Sequence, residues 1–196
     1  MASSLIYPHE LTGRTIRLLT IESDDPRAPL RCKLSETCLD TTATTYNALS
    51  YCWGENHSPI QINCNSQPFV VTPNLHSALL EYRHRAIQTP LWVDAVCIDQ
   101  SNVSERTSQV RMMDEIYTEA ECVIVWLGDA EATDGLALEF LKTIHAHWAD
   151  SEDSPAMPAD QEVLEYDVYL SPLVSRNSFH ALATFLLRPW FSRMWM

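Results

Sequence analysis

Apolar and polar residues alternate through the first 45 positions, the period of a half-buried strand. "TIRLLTIE" and "PLRCKLSE" carry it most clearly, with "SDDPRA" as the loop between them. "YNALSYCWG", Tyr46 to Gly54, is a denser apolar run. "IQINCNSQPFVV" alternates on both sides of "CNSQ" and predicts a hairpin. The period then lengthens. Thr72 and Pro73 form a helix start, and Leu75, Ala78, Leu79, Tyr82 and Ala86 share one helical face up to Pro90. "LWVDAVCI", Leu91 to Ile98, is nearly continuous in apolarity and predicts a strand covered on both faces. Ser104 is the expected cap of a second helix, striped by Val110, Met113, Ile116, Tyr117 and Ala120. "CVIVWLG" predicts another buried strand, and Asp134 opens a third helix. "ADSEDSPAMPADQE" has the composition of a surface loop. "SFHALATFLL" predicts a buried helix that Pro189 stops before the aromatic tail "RPWFSRMWM".

This order predicts an α/β domain whose central sheet is mostly parallel and flanked by helices, with an antiparallel β section at the N-terminus. Residues 1–45 are that β extension, packed on a domain spanning 46–196.

Charge narrows the function. A formal net charge of −13, with Lys33 and Lys142 the only lysines, leaves no basic stripe to replace counterions on nucleic acid or anionic lipid. No apolar run reaches the roughly 20 residues of a membrane span. The first residues, "MASSLIYPHELTGR", lack the regions of a secretory signal. The six cysteines lie far apart with no zinc spacing, which suits free thiols in a reducing cytoplasm. No GxGxxG, Walker, GxSxG or HExxH motif is present, and four glycines are too few for a Gly-rich phosphate cradle.

Candidate chemistry follows from topology. Ligands of open parallel sheets sit beyond the carboxyl ends of the strands. Here the ends are Tyr51-Cys52-Trp53-Gly54, Ile98-Asp99-Gln100 and Leu127-Gly128-Asp129. Their meeting would gather carboxylates, an amide, aromatic rings suited to stacking and glycines that admit a ligand to the backbone. Glu105 and Arg106, starting the next helix, are expected to hang over the same rim. Each residue also has a structural reading. Asp99 and Gln100 serve equally as a turn, Asp94 either holds a loop or acts in a site, and Trp53 and Trp126 suit a core as well as a platform.

The blocks "YNALSYCWG", "LWVDAVCIDQSNVSERTSQVRMMDEIYTEAECVIVWLG" and "RPWFSRMWM" resemble, in order, the main blocks of the fungal heterokaryon incompatibility (HET) domain. The resemblance implies a cytoplasmic protein of filamentous fungi that triggers programmed cell death, part of fungal innate immunity, when unlike hyphae fuse. HET domains look distantly similar to TIR domains, which have a flavodoxin-like sheet and in some cases hydrolyse NAD through one glutamate. On that likeness Trp195 matches the tryptophan preceding the glutamate, the glutamate falls beyond Met196, and Met194 stands at the same offset from Trp190. NAD is then the implied substrate, with no permanently bound cofactor and no metal. Asp99 and Glu105 are the candidate catalytic groups; Ser50, Tyr51, Trp53, Gly54, Asp94, Gln100 and Arg106 are the candidate binding groups. Three functions are compatible with the resemblance: an NAD glycohydrolase active when complete and oligomerised, a non-catalytic module that self-associates or recruits protein partners, and an inactive truncated product.

Overall fold

The computed structural model describes residues 6–22, 25, 27–40, 44–54, 57–149 and 175–192. They form two compact units, Met1–Gly128 and Asp129–Met196. The expected loop at 149–162, from residue 150 on, and the tail residues Met194, Trp195 and Met196 lie outside the described residues.

The first unit is built on one seven-stranded mixed sheet: β1 (Thr15–Ile21), β2 (Arg31–Cys38), β3 (Asn47–Tyr51), β4 (Ile60–Cys64), β5 (Gln67–Val71), β6 (Leu91–Trp92) and β7 (Cys122–Trp126). Its order is β5-β4-β2-β1-β6-β3-β7. The half formed by β6, β3 and β7 is parallel. The β1–β2 and β4–β5 pairs are antiparallel, as alternation predicts. β1 joins the two halves, because it also pairs antiparallel with β6 through Leu19 and Leu91. Ile16, Arg17, Leu18 and Leu19 are all buried, so β1 is covered on both faces.

Local chemistry explains most elements. Asn65 and Ser66 turn the β4–β5 hairpin with φ of 53° and 62°, the left-handed values that a two-residue hairpin turn needs. Thr72 caps α1 (Pro73–His84) by accepting from Leu75 N, and Leu75, Ala78, Leu79 and Tyr82 form its buried face. α1 stops at Arg85, short of Pro90, and Ala86 takes a positive φ of 52°.

Four expectations need correction. The run Leu91–Ile98 is a strand for only two residues. After Trp92 the chain turns into α2 (Asp94–Cys97), with Val93 before it in extended backbone and Asp94 in the first turn. A short apolar run does not distinguish buried strand from buried helix. The second predicted helix is two, α3 (Val103–Arg111) and α4 (Met113–Thr118), broken at Met112. The stripe does not cross the break: α3 buries Glu105 and Gln109, and Val110 is exposed. The cap is Asn102, whose side-chain oxygen accepts from Ser104 N and Glu105 N. Among the described residues β7 pairs on one side only, and its Val123 and Val125 are exposed.

The second unit contains α5 (Asp134–Ala149), α6 (Arg176–Leu186) and a 3-10 turn, Pro189–Ser192. The expected buried helix is amphipathic: Ala181 and Phe185 are buried, while Phe179 and Leu186 are exposed. Arg188 donates to both carboxylate oxygens of Asp134, at 2.9 and 2.8 Å. Phe191 packs between Phe185 and Trp190, with ring centroids 5.7 and 5.3 Å away.

β1 and β2 carry the sheet from β4 to β6. A fragment comprising residues 46–196 should therefore fail to fold, leaving β4–β5 without β2 and β6 without its antiparallel neighbour. Far- and near-ultraviolet circular dichroism of the fragment, beside the full chain, checks this; a cooperative melt in the fragment would refute it.

Candidate functional site

The carboxyl ends of β3, β6 and β7 do meet, and side chains join them. Trp53, just past β3, donates its indole Nε1–H to Asp94 Oδ2, just past β6, at 2.9 Å. Asn74, in the first turn of α1, donates to Cys52 O at 2.6 Å and accepts from Trp126 Nε1, at the end of β7, at 2.9 Å. Gly54 follows Trp53 at a φ of +73°, where a Cβ would lie 3.5 Å from the Asn74 Cβ. The space is ordinary contact, so backbone conformation is what calls for glycine there.

Asp94 is not inside a strand. It is the first residue of α2, half-buried, and its Oδ1 accepts from Ala95 N at 2.8 Å. Gln100 donates from Nε2 to Asp94 O at 2.7 Å, which joins it to the Trp53–Asp94 pair. Asp99 shapes the turn before α3: its Oδ1 accepts from Ser101 N and Ser101 Oγ, at 3.0 and 2.6 Å. Arg106 is exposed and donates to Gln100 O at 3.1 Å. Trp53 is 41% exposed, so it is a surface ring and not core. Tyr51, by contrast, is 2% exposed and belongs to the core, out of reach of a ligand. Ser50 is half-buried at the end of β3.

Glu105 does not hang over the rim; its side chain is fully buried. Arg17, from the middle of β1, donates Nη1 to Glu105 Oε1 at 2.5 Å and Nη2 to Oε2 at 3.1 Å. Glu105 also accepts from Asp99 N at 2.7 Å and Leu11 N at 3.0 Å. Arg17 in turn donates to His9 O and Cys97 O, sits 4.9 Å from the Tyr7 ring centroid, and brings Nε within 3.6 Å of Glu36 Oε1. The spacing Asn102-x-x-Glu105 is that of a capping box. Here the glutamate reaches Asp99 N instead of the cap, because Arg17 and Leu11 draw it inward. Burial pushes the Glu105 pKa up, but the hydrogen bonds from Arg17, Asp99 N and Leu11 N outweigh it and hold the group below its usual 4.5. It is a buried anion that holds the structure.

Sequence reasoning missed Arg17 and Asn74. Arg17 had a signal: a guanidinium inside the apolar run Ile16–Leu19 needs a buried acid. Asn74 had only its place in the turn after Thr72-Pro73, which is shared by many asparagines that merely start helices. Among the described residues, no group of three or more His, Cys, Asp or Glu could hold a metal ion. No helix among them is long and apolar enough to cross a membrane. A separate cleft of about 290 Å³ lies among Thr37, Cys38, Tyr46, Glu119 and Glu121, away from these strand ends.

Glu105→Gln leaves the Arg17 charge buried without its partner and should cost about 3–5 kcal/mol in denaturant unfolding. The pH dependence has a fixed sign. Because folding lowers the Glu105 pKa, its contribution is complete above its usual 4.5 and fades as pH falls through the lower folded value. The variant should lack that part of the acid loss. An unfolding free energy within about 1 kcal/mol of wild type would contradict the ion pair's role.

The heterokaryon incompatibility protein (HET) family matches residues 46–196. The chain is 30% identical over 183 residues to heterokaryon incompatibility protein 6, OR allele, of Neurospora crassa. That match covers 77% of this chain and 26% of the relative, so the chain spans about a quarter of the length of the protein it resembles. No solved structure matches. With the matched segment containing the three strand ends and the stretch from α2 to α3 that carries Asp94, Asp99 and Glu105, the chain belongs to the heterokaryon incompatibility (HET) protein family.

Proposed function

We propose that this chain acts in heterokaryon incompatibility, setting off cell death in the cytoplasm when unlike hyphae fuse. We assign the rim at the carboxyl ends of β3, β6 and β7 as the place where a nicotinamide dinucleotide binds. Family membership and the name of the Neurospora relative support the first part. The second rests on one contact, the Trp53 Nε1–Asp94 Oδ2 hydrogen bond, which fixes an exposed aromatic ring over the junction of two parallel strands. Stacking needs such a ring. Asn74, Gly54 and Gln100 hold its surroundings. Glu105, committed to Arg17 in the interior, takes no part in hydrolysis. Cleavage of NAD belongs to the oligomerised state of the protein. Trp53→Ala should weaken NAD binding by roughly five- to a hundredfold, the range set by loss of one stacked base. Calorimetry measures it. In fungal cells expressing the protein, the same substitution should preserve NAD and suppress death. Unchanged NAD in dying cells would remove the nucleotide reading.

A second reading is a non-catalytic module that self-associates, and β7 favours it. Among the described residues β7 pairs on one side only, and Val123 and Val125 are exposed along it. On this reading Val125→Lys abolishes self-association in sedimentation and abolishes death, whereas Trp53→Ala leaves both intact.

A further inference from the structure

β2 and β4 run parallel, and their ladder is short: Arg31 stands opposite Asn63, and Cys32 opposite Cys64. Backbone hydrogen bonds fix this register on both sides of Cys64. Asn63 N donates to Leu30 O and Asn65 N to Cys32 O, each at 3.0 Å. Asn65 Oδ1 also accepts from Leu34 N at 2.9 Å. Opposed residues of a parallel pair project to the same face, with Cα atoms about 4.8 Å apart. That spacing lies within the roughly 4.4–6.8 Å that a disulfide spans. Both side chains are fully buried in the core, and both are free thiols. Burial, and after it the neighbouring Cys64, push the Cys32 thiol up to about 12; burial pushes Cys64 up to about 11. While the hairpin is docked both thiols stay protonated and shielded, and neither reacts. The docking is slight. Among the described residues β5 pairs with β4 alone, and β4 meets β2 over two residue pairs, against the seven that join β1 to β2. An edge hairpin held this way opens before the sheet as a whole does. A third buried thiol, Cys97, is occupied within its own turn: its Sγ accepts from Val93 N at 3.4 Å and donates to Leu91 O at 3.8 Å.

We propose that Cys32 and Cys64 are a reversible dithiol–disulfide pair, oxidised by a peroxide when the β4–β5 hairpin opens, and that the bond staples the hairpin to β2. Opening returns Cys64 to water and removes the burial that keeps its thiol protonated. The Cys64 thiolate attacks one oxygen of hydrogen peroxide, the O–O bond breaks and hydroxide leaves, giving a sulfenic acid at Cys64 Sγ. When the hairpin docks again, Cys32 Sγ attacks that sulfur, and the hydroxyl departs as water with the Cys32 proton. The two thiols lose two electrons and two protons, and the peroxide becomes two waters. Thiol–disulfide exchange with a reducing thiol restores the pair. The hairpin lies in the chain between Gly54 and Thr72, the cap of α1, whose Asn74 holds Cys52 O. The staple therefore tightens the stretch that joins the two sides of the rim.

The test uses the full chain, reduced, freed of reductant and exposed to hydrogen peroxide until the exposed Cys122 is oxidised. Remaining thiols are alkylated in denaturant, and peptide mapping by mass spectrometry without reduction identifies the linked cysteines. The expected product is a Cys32–Cys64 cross-link that a reducing thiol removes, with a yield that rises in urea below the unfolding transition. Hydrogen exchange of the β4 and β5 amides should slow roughly tenfold in the oxidised chain and recover on reduction. Cys32→Ala should abolish both the link and the slowing, whereas Cys97→Ala should keep both, with thermal melts confirming the fold of each variant. The wild-type map decides even where a buried Cys→Ala variant unfolds. Cys32 and Cys64 recovered as alkylated thiols beside oxidised Cys122, a link from Cys64 to Cys97, or a link formed only above the unfolding transition overturns the proposal. A Cys32–Cys64 link that leaves hairpin exchange unchanged overturns the staple.

Discussion

A carboxylate and a guanidinium in the interior of the first unit, Glu105 and Arg17, constrain more of its structure than any apolar contact does. Neither tolerates burial alone, since an isolated buried charge costs several kcal/mol. Each therefore needs the other in place, and each also collects backbone groups. Through Glu105 the pair holds Asp99 N and Leu11 N; through Arg17 it holds His9 O and Cys97 O. Four chain segments thus converge on one charge pair: the strand β1, the stretch from His9 to Leu11, the end of α2 and the start of α3. Apolar packing alone would let these segments slide by small amounts at small cost. A bidentate ion pair with four further hydrogen bonds does not, because each displacement strands a buried polar atom.

The rim inherits its shape from this anchor. Asp99 N is fixed by Glu105, and one residue later Gln100 fixes Asp94 O, whose own side chain fixes Trp53. On the other side Asn74 ties Cys52 O to the Trp126 indole. The exposed ring is thus held through three hydrogen bonds that lead back to the buried pair. Polar residues near a strand end fall into two kinds here. Glu105 faces inward and sets position; Asp94 is half-buried and Trp53 exposed at the strand ends.

That division was only half legible in the sequence. Period and punctuation were enough for the hairpin at Asn65-Ser66, the cap at Thr72 and the general α/β order, because turn and cap chemistry is local. Leu91–Ile98 was misread because its apolarity is shared by buried strand and buried helix, and pairing partners far along the chain decide between them. Glu105 was misread for a similar reason. A glutamate in a first helical turn is adequately explained by the dipole, and nothing local says that Arg17, 88 positions earlier, waits for it. Trp53 and Asp94 were both noticed, but as separate residues. Their hydrogen bond spans 41 positions and depends on β3 and β6 lying side by side.

The same ion pair bears on where the folding unit begins. Glu105 lies within the segment that matches the HET family, 46–196, and Arg17 lies before it. So do Leu11, which donates to Glu105, and His9, which accepts from Arg17. A fold defined by the matched segment alone would contain a buried carboxylate with no counter-charge and a two-residue β6 with no antiparallel neighbour. The family boundary at Tyr46 therefore marks where sequence similarity becomes detectable, not where the structure starts. β1 and the stretch before it complete the charge balance of the core, and through Asp99 and Gln100 they reach the rim. Substitutions in a segment outside the family match are thereby coupled to the geometry of Trp53, the exposed ring at the strand ends.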